Sequence, residues 1–452
     1  MPPEVVSLSA KPFSLKSSDV VAVGLMTFAL FLGAGNMIFP PILGQQAGSE
    51  LFPALAGFLL TGVGLPLLGV IAAARLGGGL DRFTQDLPKG VALVTGIILY
   101  LAIGPLFAAP RTGIVAYEMG VAPFLSEGSN ALSYFSVAFF AVALVLALNP
   151  GKLIDFVGKL ITPMLVLVLL AIALGVFLFP QGEIRATTDM ASPLIKGFKE
   201  GYQTMDTLGA LVFGIVIISS LRQRGVTDNK QITRYTIQAG LIAAVGLCLV
   251  YMTLGYLGAT SIEVAPEATN GAEILTAYVY ASFGQAGLIA LALCIVLACL
   301  TTAVGLMTAC GEYFSKVMPF ASYRVWVIGC TLVSALIANV GLNELLSLTI
   351  PALYAIYPVA ITLILLCLVR ERLANPGRTF LITLLPVAII GLTDGLVAGQ
   401  IEAIAPFASL LAKLPLAEHD LGWMLPGLLA FTAGVLTTGK SNEECSIETA
   451  AV

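Results

Sequence analysis

The chain has 452 residues, of which 58% are hydrophobic and only 11% charged, and its 46 glycines raise the apolar-plus-glycine share to about 68%; soluble domains carry roughly 25% charge. A mean hydropathy of +0.97 leaves too few polar side chains to cover a water-facing surface, so the chain is read as dissolved in lipid. A net charge of −4 with dispersed basic residues does not suggest a nucleic-acid partner.

Mostly polar residues with Lys11 and Lys16 precede the first apolar run, which lacks a small-residue cleavage site and is expected to stay as a membrane anchor. Crossing a bilayer takes about 20 apolar residues as a helix. Cutting where charges, prolines and glycines cluster gives twelve runs, at 19–45, 52–74, 91–118, 133–149, 154–180, 199–221, 236–259, 285–310, 322–342, 345–369, 379–399 and 421–438, between a tail at 1–18 and another at 439–452. Stretches such as LVLVLLAIALGVFLF do not alternate as barrel strands do, so the fold class is an all-α integral membrane protein. An N-terminus placed inside puts 17 of the 22 Lys and Arg residues on the cytoplasmic side, which predicts both ends in the cytoplasm. The longest polar interruptions, roughly 181–198, 260–284 and 400–420, are too short for an ATPase domain, and no GxxxxGK[ST] occurs. Gradients, not nucleotide hydrolysis, are expected to drive any transport, with no ATPase subunit.

Three runs depart from plain apolar sequence. The first holds FLGAGNMIFPPILGQQAG (31–48), where two glycines and Asn36 at mid-depth break the helical ladder and expose backbone groups that lipid cannot satisfy. Such discontinuous helices aim half-helix N-termini at anionic substrate groups in secondary transporters; the alternative is close helix packing through Gly33 and Gly35, with a kink at Pro40 and Pro41. The sixth, GYQTMDTLGALVFGIVIISSL (201–221), carries Asp206. A buried carboxylate is usually functional unless it lies at the water interface; the alternative is a helix that begins only after Asp206, which is then an N-cap or first-turn acid stabilising the helix dipole. The breaks in runs one and six suggest an inverted repeat. In the eighth, LALCIVLACLTTAVGLMTACGEYFS (291–315), Ala298, Thr301 and Thr302 stand at i, i+3 and i+4. They offer oxygens to a hard cation, or simply bond the preceding turn.

Nothing suggests an enzyme. The only histidine, His419, lies in a polar stretch, Arg111 and Asp394 read as isolated charges, and the seven cysteines form no CxxC; six lie in apolar runs and read as small buried side chains. A channel would need a continuous polar lining.

FLGAGNMIFPPILGQQAG, IGPLFAAPRTG (103–113), GYQTMDTLGALVFG (201–214) and LTTAVGLMTACGEYFSK (300–316) closely resemble the signatures of the branched-chain amino acid:cation symporters, the BrnQ-type carriers of the amino acid–polyamine–organocation group. The resemblance implies a leucine-transporter-like fold of about twelve helices. Two inverted five-helix repeats would span 19–180 and 199–369, with helices one and six unwound and two extra helices at 379–438. It also implies import of leucine, isoleucine and valine across the cytoplasmic (inner) membrane, coupled to Na+ or, in some members, to H+, with no covalent cofactor and Na+ as the only metal. The alternatives are a proton-coupled carrier of other neutral amino acids and a non-transporting receptor. By the same resemblance, Gly33, Ala34, Gly35 and Asn36 are the unwound segment. The Ala34 and Gly35 N–H groups bind the substrate carboxylate, and Asn36 approaches substrate or ion. Asp206 lies towards the substrate ammonium, and Leu211 and Leu306 line the apolar pocket. Ala29, Leu32, Ala298, Thr301 and Thr302 are the sodium ligands.

Overall fold

The computed structural model describes residues 15–125, 131–148, 162–186, 190 and 192–450, the last helix with side chains to Thr437. Among the described residues, each of the twelve apolar runs contains helix. In chain order these are α1 (Ser17–Phe31), α2 (Ala34–Ala47), α3 (Leu51–Leu59), α4 (Leu65–Leu76), α5 (Lys89–Leu101), α6 (Ala108–Gly120), α7 (Ala131–Ala147) and α8 (Thr162–Leu178). They continue as α9 (Pro193–Glu200), α10 (Asp206–Gln223), α11 (Asn229–Ala259), α12 (Gly271–Val317), α13 (Tyr323–Ile337), α14 (Leu342–Val369), α15 (Pro376–Ala398) and α16 (Met424–Ala450). The described residues contain no strand. Seven of their helical segments are long and apolar enough to cross a membrane, and five shorter apolar helices accompany them. The protein is a multi-pass membrane protein.

Caps mark several helix starts. Asp228 accepts from the Gln231 N–H at 3.0 Å to begin α11, and Asn270 accepts from the Ala272 and Glu273 N–H groups at 3.0 and 3.2 Å to begin α12. α12 therefore starts inside the stretch 260–284, read above as a polar interruption, and its course is broken at Gly284 (φ 62°, ψ −157°). A chain with a Cβ rarely adopts that φ. The charged, amphipathic α9 likewise fills the end of the interruption at 181–198. α16 continues to Ala450, beyond the boundary at 438. Residues 1–14, 154–161 and 451–452, which fall in the tails and the fifth run, lie outside the described residues, as do Lys11, Lys152 and Lys159 of the charge count.

Runs one and six are not the only interrupted ones. The second run passes through a π-helical turn at Leu60–Gly64, and the third through another at Ala102–Leu106. In the third, Gly104 leaves helical geometry (φ −93°, ψ −118°) beside Pro105. Proline removes a ladder donor and crowds the preceding turn, so α6 starts afresh at Ala108.

α11 packs against α1 and α2, α12 against α6 and α2, and α10 against α4, so the interrupted spans meet at the centre. Of the cysteines, Cys294, Cys299, Cys310, Cys330 and Cys367 are buried and Cys248 half-buried, all free. Ion pairs tie the loops: Arg370 to Asp86 at 2.5 and 2.9 Å, Arg224 to Asp19 and Lys316 to Asp81 at 3.8 Å, and Lys199 to Asp420 at 2.6 Å.

α3 and α9 touch backbone to backbone. A Cβ on Gly57 would lie 1.8 Å from the Leu194 carbonyl oxygen, and one on Gly197 would lie 1.8 Å from that of Ala54. Gly197→Ala is therefore expected to destabilise the protein by about 1–3 kcal/mol or more through overpacking. Thermal unfolding of the purified protein in detergent measures it; an unchanged midpoint would show that the two helices separate freely.

Candidate functional site

Span one breaks at two residues. Leu32 ends α1 (φ −73°, ψ 87°) and Gly33 is extended (φ −112°, ψ −167°) before α2 begins at Ala34. This corrects the expectation that 33–36 is unwound: Ala34, Gly35 and Asn36 form the first turn of α2, and the helix accommodates Pro40 and Pro41. The Asn36 side chain reaches back, its Oδ1 accepting from the Gly33 N–H at 2.9 Å. The first-turn N–H groups of a helix have no intrahelical acceptor and carry its positive end; here they belong to Ala34 and Gly35.

Span six breaks opposite. A 3-10 turn over Gly201–Thr204 ends at Met205, which is left-handed (φ 63°, ψ 12°), and α10 starts at Asp206. Asp206 is thus a first-turn acid, yet it is only 5% exposed. Its Oδ2 accepts from Asn36 Nδ2 at 2.7 Å and from the Tyr251 hydroxyl at 2.8 Å, and Asn36 Nδ2 also donates to the Tyr251 hydroxyl. One carboxylate joins α2, α10 and α11. Asn36 is consequently engaged with Gly33, Asp206 and Tyr251, a positioning arrangement rather than a free reach towards a ligand.

Arg111, set aside above as isolated, stands beside these breaks. It is 3% exposed, donates from Nη1 to the Gln203 carbonyl at 2.6 Å and from Nη2 to the Thr204 carbonyl at 3.4 Å, and lies 5.4 Å from the Phe39 ring centroid. Those carbonyls end the turn that precedes Met205. Its position follows from the interruption of span three.

A small pocket opens between the breaks. Gly33, Ala34, Gly35, Asn36, Asp206, Leu306 and Thr302 line it, together with Arg111, Phe31, Ile103, Gly209 and Phe213. Phe31 and Phe213 meet edge to face at 6.0 Å. Leu211 does not belong to this lining. It is fully buried, and its carbonyl faces Gly79, 3.7 Å from where a Cβ there would lie. Helix phase explains the correction: at 3.6 residues per turn, 209 and 213 follow 206 on one face while 211 points away.

Of the sodium candidates, Thr302 alone lines the pocket; a Cβ at Gly33 would lie 3.5 Å from its Cγ2 and 3.7 Å from its Oγ1. Both hydroxyls bond the previous turn: Thr301 and Thr302 donate to the Ala298 carbonyl at 2.8 and 3.0 Å. Ala29 is half-buried in α1, and the Leu32 N–H closes that helix on the Phe28 carbonyl at 2.9 Å.

The family model described as "Branched-chain amino acid transport protein" matches residues 16–441. The "Branched-chain amino acid transport system 2 carrier protein" of Pseudomonas aeruginosa is 51% identical over 424 residues, 93% of this chain and 96% of that one. The "Branched-chain amino acid permease BrnQ" of Escherichia coli K12 is 42% identical over 424 residues, with the same shares of 93% and 96%. Among solved structures, the closed form of Mhp1, a nucleobase-cation-symport-1 family transporter, aligns with a TM-score of 0.57 at 15% identity over 90% of this chain and 96% of that one. The fold is leucine-transporter-like, as expected from the motifs.

Proposed function

We infer that this chain, which belongs to the branched-chain amino acid transport protein family, imports leucine, isoleucine and valine across the cytoplasmic membrane by symport with sodium. It is a transporter of that family, not an enzyme. The observation that carries the reading is the pocket between the two helix breaks. Helix N–H donors stand at Ala34 and Gly35, a carboxylate at Asp206, and an apolar wall at Phe31, Ile103, Phe213 and Leu306. A free amino acid with a branched aliphatic side chain has a complementary group for each. Breaks in spans one and six allow access to alternate between the two membrane faces around a fixed site.

Sodium would lie between the carbonyls of Ala29 and Leu32 and the oxygens of Ala298, Thr301 and Thr302. The seat of Thr302 against Gly33 supports this placement. The threonine hydroxyls give their protons to Ala298 and keep lone pairs for a cation, whereas the Ala298 carbonyl already accepts both and is the poorest ligand of the set. The ion pairs agree with the grouping of loops by side on which the charge count rests. Arg370–Asp86, Arg224–Asp19 and Lys316–Asp81 each join segments that the charge count puts inside, and Lys199–Asp420 joins two that it puts outside.

Uptake of labelled leucine into proteoliposomes, with sodium and proton gradients imposed separately, tests substrate and ion together. Uptake should follow the inward sodium gradient; a response to protons alone would replace sodium, and leucine binding without counterflow would make the protein a receptor. Thr302→Val keeps the shape and removes the hydroxyl. It should raise the sodium concentration for half-maximal uptake about tenfold, the worth of one lost polar contact, with little change in expression. An unchanged sodium dependence in the Thr301→Val/Thr302→Val double variant would remove both residues from the site.

A further inference from the structure

Burying a guanidinium is costly unless charge or hydrogen bonds compensate it, and Arg111 is 3% exposed at the edge of the pocket. Among the described residues no carboxylate pairs with it: Asp206 Oδ2 is held by Asn36 and Tyr251. An arginine offers five N–H donors in a planar fork. Here one makes a short bond to the Gln203 carbonyl at 2.6 Å, and another reaches the Thr204 carbonyl only at 3.4 Å, beyond the usual range for N–H···O bonds. Nε is buried with no acceptor. The fork also abuts the first turn of α2, since a Cβ on Gly35 would lie 2.8 Å from Nη2 and 3.1 Å from Cζ. The guanidinium and the Ala34 and Gly35 N–H groups therefore form one positive pole, and Asp206 supplies a negative group in the same pocket.

We propose that Arg111 binds the carboxylate of the transported amino acid together with the α2 N-terminus, and thereby makes a free α-carboxylate a condition of recognition. A carboxylate accepts bidentately from an arginine fork, and one bound here would give further acceptors to a guanidinium whose Nε has none. The proposal rests on the reading of this pocket as the amino-acid site. A merely structural Arg111 would brace the span-six break through Gln203 and Thr204, independently of what the ligand carries.

Competition against labelled leucine by unlabelled leucine and by leucinamide, which replaces the carboxylate with an amide, separates these roles in the purified full-length protein. In Arg111→Gln the affinity for leucine should fall about 100-fold, as when one partner of a buried charged contact is truncated, while that for leucinamide should change by less than about threefold. The parent's preference for leucine would then collapse. Arg111→Lys retains the buried charge without the fork and should keep part of that preference, so it tests the idea even where the glutamine variant fails to fold. Equal loss of both ligands in the lysine variant, or an undiminished preference for leucine in a folded glutamine variant, would overturn the proposal. Absence of leucine binding by the parent protein would instead overturn the transport reading on which it rests.

Discussion

Gly35→Leu is expected to abolish leucine binding while leaving a folded, membrane-inserted protein. The reason lies in what a side chain there would strike. A Cβ at 35 meets Arg111 Nη2 at 2.8 Å, Cζ at 3.1 Å and the Gln203 carbonyl oxygen at 3.3 Å. The nearest obstacle is thus the far end of a flexible side chain, which can swing aside, so the fold survives. The pocket does not, because a leucine at this position fills the space beside the α2 N-terminus and displaces the guanidinium. Gly44 provides the contrast. A Cβ there would lie 1.9 Å from the Gly255 backbone oxygen, and neither α2 nor α11 can yield that distance locally, so Gly44→Leu should fail to accumulate as folded protein. Leucine binding and size-exclusion profiles of the two variants, measured side by side, check both outcomes. A Gly35→Leu protein that transports leucine with near-native affinity would reduce the break in span one to a packing feature.

The membrane architecture was legible because each crossing needs its own run of about 20 apolar residues, and among the described residues every run holds helix. Breaks one and six were legible for the same reason in reverse: Gly33, Asn36 and Asp206 are conspicuous inside such runs. The break in span three was also written in the chain, as Gly104-Pro105, but glycine and proline in an apolar run carry no polar atom to draw attention to it. Arg111 therefore reads as isolated in the sequence, since only the restart at Ala108 carries that residue into the pocket. Tyr251 could not be found from local sequence at all; its hydroxyl gains meaning only when α11 packs against α2. Leu211 was misassigned for want of helix phase, which is set by where α10 starts. The helical parts of the polar interruptions, α9 and the first turns of α12, escaped notice because a search for lipid-crossing runs discards charged, amphipathic helices.

Asp206→Asn should reduce leucine transport at least tenfold, about 1.4 kcal/mol or more where the loss is in binding, with normal folding. A charge at the centre of a membrane helix costs about 2.5–3.5 kcal/mol on insertion scales, and a substrate ammonium or coupling ion beside it offsets that cost. The alternative, an acid that only stabilises the first turn of α10, is half supported by the geometry, because α10 does begin at Asp206; what it lacks is the water interface, since the residue is 5% exposed. The amide is a discriminating replacement. One carboxylate oxygen accepts both the Asn36 and the Tyr251 hydrogen bonds, and an amide oxygen can accept both at reduced strength, so the ties among α2, α10 and α11 survive while the charge is lost. Asparagine also serves helix N-termini about as well as aspartate. A role in capping or in holding the three helices therefore predicts near-parental transport, and a role for the charge predicts the loss. Sodium and leucine titrations of the purified variant separate the two, and parental half-saturation values for both would remove Asp206 from the recognition of substrate and ion.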